Sequence, residues 1–401
     1  MENEKLVPKL RFNGFTDEWK NKNGYDTFEL LGGGSFKSSD SVSNGIKWLK
    51  IANVGINEIK TNEMSYLPFD FIDEFKKYVL KKEDVILALT RPILNHKLKI
   101  AIVNDEFNNS LLNQRVGKLI NKEDVYLNFI YYYLQLPYSI YYLESKISGS
   151  DPPNLSNKDL LSIPINLPDI KEQKNISNFL SKIDKKIELL NKKYQTYQDF
   201  KKYLMQQIFA QKLRFAEFED EWIPYKIGDI SKTYSGGTPS TSKKEYYEGN
   251  IPFIKSGEIN NDITEQYITE DALKNSSAKR VQKGDLLLAL YGATSGEVAI
   301  SKIDGAINQA VLKIDNDMDN YFQYCYFLMY KDQIVHKYIQ GGQGNLSANI
   351  IKKLEFKYPS LAEQKKISQF FMSFDNKLEL YENKIIKYNN LKKGLLQQMF
   401  V

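Results

Sequence analysis

The chain has 401 residues, 42% hydrophobic and 26% charged. That composition excludes global disorder, and at about 150 residues per domain it suggests two to three domains. One Cys and two His exclude an internal disulfide and a Cys/His zinc site, and no apolar run nears a membrane span. The net charge of +5 is compatible with nucleic acid without requiring it.

In chain order, Lys9-Leu10-Arg11-Phe12 opens the pattern, followed by Phe15, Glu18 and Trp19. The first stretch, MENEKLVPKLRF, holds no apolar segment of signal-peptide type, so a cytoplasmic protein is expected. Gly32-Gly33-Gly34-Ser35 reads as a loop. Asp84 to Leu89 is a short apolar run of buried-strand type. Asn113-Gln114 comes next, then an aromatic-rich stretch with helical character from Tyr126 to Tyr142. Its tyrosines read as packing residues in preference to base-stacking ones.

Residues 171–209 carry Ile176, Phe179, Ile183, Ile187, Leu190, Tyr194, Tyr197, Leu204 and Ile208, spaced mostly by 3 and 4, with no Pro or Gly. This is the seam of one long helix.

The second half repeats the first. KLRF, Phe, Glu and Trp return at Lys212–Phe215, Phe218, Glu221 and Trp222, an offset of 203. Ser235-Gly236-Gly237-Thr238-Pro239-Ser240 is again a loop, and the strand returns at Asp285 to Leu290. Asn308-Gln309, the aromatic stretch Tyr321 to Tyr338 and a second helix follow. From Asn154-Leu155-Ser156 and Asn345-Leu346-Ser347 onward the offset stays at 191 to the end, so all 12 extra residues of the first half precede position 154. Loops absorb such length changes; a helix with a fixed packing register does not.

The second seam holds Ile367, Phe370, Phe374, Leu378, Tyr381, Ile385, Tyr388, Leu395 and Met399. The expected arrangement is an antiparallel coiled coil of the two helices. Its interface would include Ile183, Ile187, Leu190 and Tyr194 with Phe374, Leu378, Tyr381 and Ile385. An amphipathic helix on each domain alone is the alternative.

The fold class expected is α/β (mixed α+β), with two pseudo-repeated globular domains and two long helices. The segments are 1–170 (first domain), 171–211 (central helix), 212–360 (second domain) and 361–401 (C-terminal helix). The helices are basic, with nine Lys against four acids in 171–209 and seven against four in 363–401. A solvated helix face accounts for that.

Catalytic signatures are weak. No GxxxxGK[ST] is present, so nucleotide hydrolysis has no sign. His96 and His336 lie in unmatched contexts and read as structural, and Cys325 as a buried small hydrophobe. Asp151-Pro152-Pro153-Asn154 resembles the adenine-amino-methyltransferase motif, but Asn154 stands where the base-stacking aromatic would be. A self-contained methyltransferase and a protein-only coiled-coil scaffold therefore stand as alternative functions.

Taken together, several motifs resemble the specificity (S) subunit of type I restriction–modification systems. These are the KLRF-x-x-F-x-x-EW segments, Ile227-Gly228-Asp229-Ile230, Gly236 to Ser240, Lys283-Gly284-Asp285-Leu286-Leu287, Asn308-Gln309, and Glu-Gln-x-x-Ile at 172–176 and 363–367. The resemblance implies two target-recognition domains, each reading half of a bipartite double-stranded DNA site, and helices that set half-site spacing. It implies two modification subunits that use S-adenosylmethionine to methylate adenine N6. It also implies restriction subunits that use ATP and Mg, no cofactor and no catalytic residue in this chain, and no membrane.

Base and phosphate recognition call for Arg, Lys, Asn, Gln and hydroxyl side chains on loops. The candidates are Ser35, Lys37, Lys50, Asn53, Arg91, Asn113, Gln114 and Arg115 in the first half. In the second they are Thr238, Ser240, Lys255, Ser256, Tyr291, Thr294, Asn308 and Gln309. The repeated Asn-Gln pair is expected to support the fold instead, since the two halves would read different sequences.

Overall fold

The structure is a computed structural model that describes residues 5–147, 152–340 and 345–401. The chain forms two compact units, Met1–Leu190 with Lys384–Val401, and Asn191–Asn383. Each unit thus takes a globular domain together with a stretch of both long helices.

In the first unit, Val85–Ala88 is buried along its whole length. An apolar strand of this kind is covered on both faces. Val85 and Leu87 face the main core with Trp19, Phe28 and Phe129, whereas Ile86 and Ala88 join a second cluster with Leu49, Val54 and Phe107. This strand belongs to a four-stranded antiparallel sheet ordered Phe28–Gly32, Val116–Asn121, Val85–Ala88, Ile100–Ile102. A second sheet orders Tyr66–Leu67, Ile46–Leu49 and Leu111–Leu112, the last pair parallel. The helix Leu127–Tyr133 buries Phe129 and Tyr131–Tyr133 in the main core. The Tyr132 hydroxyl donates to Asp184 and the Asn166 N–H donates to the Tyr133 hydroxyl, so these rings pack as expected.

The second unit repeats the plan. Leu286–Ala289 is the fully buried strand, in the sheet Lys232–Ser235, Val311–Asp315, Leu286–Ala289, Val298–Ile300. Its companion sheet orders Tyr267–Ile268, Ile251–Ile254, Gly305–Ile307 and Lys279–Val281, and Ile251–Ile254 runs parallel to Gly305–Ile307. Cys325 is fully buried in the aromatic helix Asn320–Val335, where desolvation pushes its thiol up to about 12.

The long helices are Ile170–Phe209 and Leu361–Gln398. At 1.5 Å per residue the 40-residue first helix is about 60 Å long. Within Asn191–Asn383 the helices run antiparallel: Tyr197 meets Tyr381 at 5.5 Å between ring centroids, and Lys201 pairs with Asp375. In the other unit Lys392 pairs with Asp184 at 2.7 Å, the same contact with the helices exchanged. The hydroxyls of Tyr321 and Tyr132 donate to these two aspartates.

Ile183 and Leu190 are buried, and Ile187, Tyr194, Phe374, Leu378, Tyr381 and Ile385 are half-buried. One correction concerns the neighbouring position. Phe179 is exposed and packs edge-on against Phe12, whereas Phe370 meets Phe215 edge-on but stays half-buried, with its ring 5.3 Å from that of Phe374. The fully buried residues there are Leu180 and Phe371, one position later. A helix that packs on both a partner helix and a globular domain carries a wider apolar face than a two-residue seam.

Candidate nucleic-acid interface

The start of each domain is tied to its long helix in the same way. Arg11 forms a bidentate pair with Glu172 (Nε and Nη2, both 2.8 Å), and Arg214 pairs with Glu363 (2.8 and 2.7 Å). The next residue, Gln173 or Gln364, donates to the carbonyl of Pro168 or Pro359 at 2.9 Å. Its Oε1 accepts from the N–H of Tyr126 or Asp319. The repeated Arg and Glu-Gln residues are therefore clamps. Pairing across 161 and 149 residues has no local sequence signal; only the repetition could have marked it.

Backbone bonds gather the candidate loops. In the first unit, Gln114 N–H donates to Gly34 O (2.9 Å), Asn113 N–H to Leu49 O (3.0 Å) and Leu89 N–H to Arg115 O (2.9 Å). Segments 34–37, 50, 89–91 and 113–115 thus form one cluster. Ser35, Lys37, Arg91, Gln114 and Arg115 are exposed, and Lys50 is half-exposed with its ammonium 4.0 Å from the Trp48 ring centroid.

The second unit gathers the matching segments. Gly236 N–H donates to Asn308 O (3.1 Å), and Leu290 N–H donates to Ala310 O (2.8 Å). The Thr238 hydroxyl donates to Gln309 Oε1 at 2.6 Å. Ser240 bonds Ser242, and Lys255 and Ser256 follow the strand that runs parallel to Gly305–Ile307. Tyr291 is exposed and Thr294 half-buried.

Glycine is required at the turn in both loops. A Cβ on Gly33 would lie 2.2 Å from Leu112 O, and one on Gly236 would lie 1.7 Å from Ile307 O. The two glycines do the same job, despite the different residues that follow them.

One candidate assignment changes. Asn53 is 2% exposed, and its amide is fully used. Oδ1 accepts from Lys50 N–H, and Nδ2 donates to Lys60 O and Glu63 O. It shapes the turn and cannot reach a base. Asn113 and Asn308 also serve their own turns, since each Oδ1 accepts the N–H two residues on at 3.0 Å. The fold-supporting expectation for this Asn describes both copies.

The two clusters share a frame but differ in charge. The first presents Lys37, Lys50, Arg91 and Arg115; the second presents Lys255 with Thr238, Ser240, Tyr291 and Thr294. Among the described residues, none of Lys37, Lys50, Arg91, Arg115 or Lys255 has a carboxylate ion-pair partner. Lys99, beside Arg91, is held below the usual lysine range by burial and then by the charges of Lys60 and Arg91.

Of the methyltransferase-like segment, Asp151 lies outside the described residues, as do 342–344 of the second copy. Asn154 is used internally: Oδ1 accepts from Thr90 (2.7 Å) and Nδ2 donates to Pro152 O (3.0 Å). His96 pairs with Glu144 at the surface, at 2.9 Å. Among the described residues no helix is long and apolar enough to cross a membrane.

Residues 16–196 and 219–389 match the family described as the type I restriction modification DNA specificity domain. The chain belongs to this family. Similar curated proteins include the type I restriction enzyme MjaVIII specificity subunit of Methanocaldococcus jannaschii, 34% identical over 211 residues. That match covers 52% of this chain and 50% of the relative. The EcoR124I/EcoR124II specificity subunit of Escherichia coli is 27% identical, over 62% of this chain and 63% of the relative. The chain thus spans about half the length of the first of these relatives. The S subunit crystal structure from M. genitalium shares the fold, with a TM-score of 0.69 at 17% identity and 99% coverage of both chains. The specificity-domain match falls once on each half, which is the repeat seen in the sheets and clamps.

Proposed function

We propose that this chain is the DNA-recognition subunit of a type I restriction–modification complex. Each domain reads one half of a bipartite duplex site through its loop cluster, and the helix pair sets the half-site spacing. Two modification subunits supply S-adenosylmethionine and adenine N6 methylation. Restriction subunits add ATP- and Mg-dependent cleavage, and the assembly works in the cytoplasm. The chain itself carries no catalytic step.

One observation carries this reading: two loop clusters on the same backbone frame present different side chains. A shared frame with divergent tips suits two readers of different sequences, because base discrimination resides in side chains and not in the scaffold. A self-contained methyltransferase is disfavoured because Asn154 stands where its motif needs a base-stacking aromatic.

The test is methylation mapping in a genome carrying the chain with its partner subunits, before and after exchange of residues 12–168 for another family member's first domain. One half-site should change while the other half and the spacing persist. A change in both halves would refute independent domains, and methyl transfer by the purified chain alone would refute the non-catalytic role.

A further inference from the structure

Arg91 occupies a backbone position ill-suited to arginine. Its φ is +46°, in the left-handed region that side chains with a Cβ seldom adopt. The equivalent position of the second domain is Gly292, at φ +80°. The equivalence is fixed by hydrogen bonds. Leu89 donates to Arg115 O and accepts from Leu155, just as Leu290 donates to Ala310 O and accepts from Leu346; each left-handed residue lies two positions on. One repeat thus fills the slot with glycine, which bears no strain there, and the other keeps an arginine. A strained arginine in a slot that glycine fills in the other domain points to a use for its side chain.

The surroundings say what that use is. Pro92 O, next to Arg91, accepts the Lys99 N–H at 2.7 Å. Ile100 O accepts the Asn57 N–H at 2.9 Å, which brings the loop carrying Lys60 to the same edge. Three cations are therefore held together, and among the described residues none pairs with a carboxylate. Lys60 and Arg91 are exposed and Lys99 is half-buried. Burial first, and then the charges of Lys60 and Arg91, lower the proton affinity of Lys99. The position matching Lys99 in the second domain is Glu297, since Ala88 donates to Lys99 O as Ala289 donates to Glu297 O. Glu297 is neutralised by Lys331. The cation cluster thus belongs to the first domain alone.

We propose that Arg91, Lys99 and Lys60 form a seat for a backbone phosphate of duplex DNA, present in the first domain and absent from the second. The seat rests on the DNA-reading function above. It assigns Arg91 to phosphate contact instead of base reading, and adds Lys60 and Lys99 to the interface. A phosphodiester supplies the negative charge the three side chains lack, and bidentate Arg suits its geometry.

The test uses the chain assembled with its modification subunits and a duplex carrying the methylation-mapped site. Affinity is measured between 50 and 200 mM salt for wild type, Arg91→Gly and Lys99→Gln. Each lost phosphate contact should lower the salt slope by about 0.9, so over this fourfold salt range the wild type should lose about three- to fourfold more affinity than each variant. The loss should be alike for specific and scrambled duplexes. Arg91→Gly should melt no lower than wild type, since it takes the residue found in the second domain. An unchanged slope in both variants would overturn the seat, as would a loss confined to one base pair of the first half-site. A markedly lower melting temperature for Arg91→Gly would overturn the strain argument. A free-anion arm compares inorganic phosphate with chloride at matched ionic strength. Stabilisation of the wild-type complex by phosphate that is lost in the variants would assign the seat to a free anion. If the wild-type complex shows no preference for the mapped duplex, the DNA-reading function itself fails.

Discussion

The clamp between Arg214 and Glu363 can be broken from one side, with an outcome set by the structure. The Glu363 side chain is 1% exposed and accepts from Arg214 Nε and Nη2 and from Trp222 Nε1 at 3.3 Å. Arg214→Met removes the counter-charge and strands a desolvated carboxylate. Removal of one partner from a buried pair costs about 3–5 kcal/mol, whereas replacing both by apolar residues is often neutral. Arg214→Met with Glu363→Leu should therefore recover most of the loss. Trp222 is the sole tryptophan of the second unit, since Trp19 and Trp48 lie in the first. In a Trp19→Phe, Trp48→Phe background, its fluorescence follows urea unfolding of the second unit alone. With a slope of about 2–3 kcal/mol/M, the single variant should shift the midpoint down by about 1–2 M. A single variant within about 1 kcal/mol of its parent would refute the clamp as a stability element, as would a double variant no better than the single. Arg11→Met should cost at least as much, because the Trp19 indole N–H makes no bond and gives Glu172 no second donor.

Two further expectations concern packing and reactivity. Leu180→Ala should cost about 2–5 kcal/mol by thermal unfolding while Phe179→Ala costs well under half of that; equal costs would restore Phe179 to the seam. Half-buried Ile187 should fall between the two. Cys325, with its thiol pushed up to about 12, should react with a thiol reagent at pH 8 only as fast as the second unit opens. Prompt labelling of the native chain would show that the helix Asn320–Val335 is not packed as described.

The resemblance to a family, the internal repeat, the long helices and the doubly buried strands were legible in the sequence. Each is a pattern of one-dimensional order: periodicity, spacing, and recurrence of the same letters at a steady offset. The antiparallel sense was reachable because two matching stripes have few other ways to bury themselves. Much of the candidate interface was not legible, for a shared reason. Whether Asn53 faces DNA or its own turn depends on which carbonyls the fold brings to its amide, and Lys60 O and Glu63 O lie on a return of the chain. Phe179 and Leu180 are adjacent and both apolar, and only the presence of a globular domain beside the helix decides which is buried. The clamp partners of Arg11 and Arg214 lie more than a hundred residues away. The αL slot shared by Arg91 and Gly292 is a matter of backbone angle, invisible until the chain is folded. Sequence determined which segments exist and that they come twice. Tertiary structure decided which polar side chains are used up inside the fold and which are left to face a partner, because hydrogen-bond satisfaction depends on neighbours that the chain supplies only when folded.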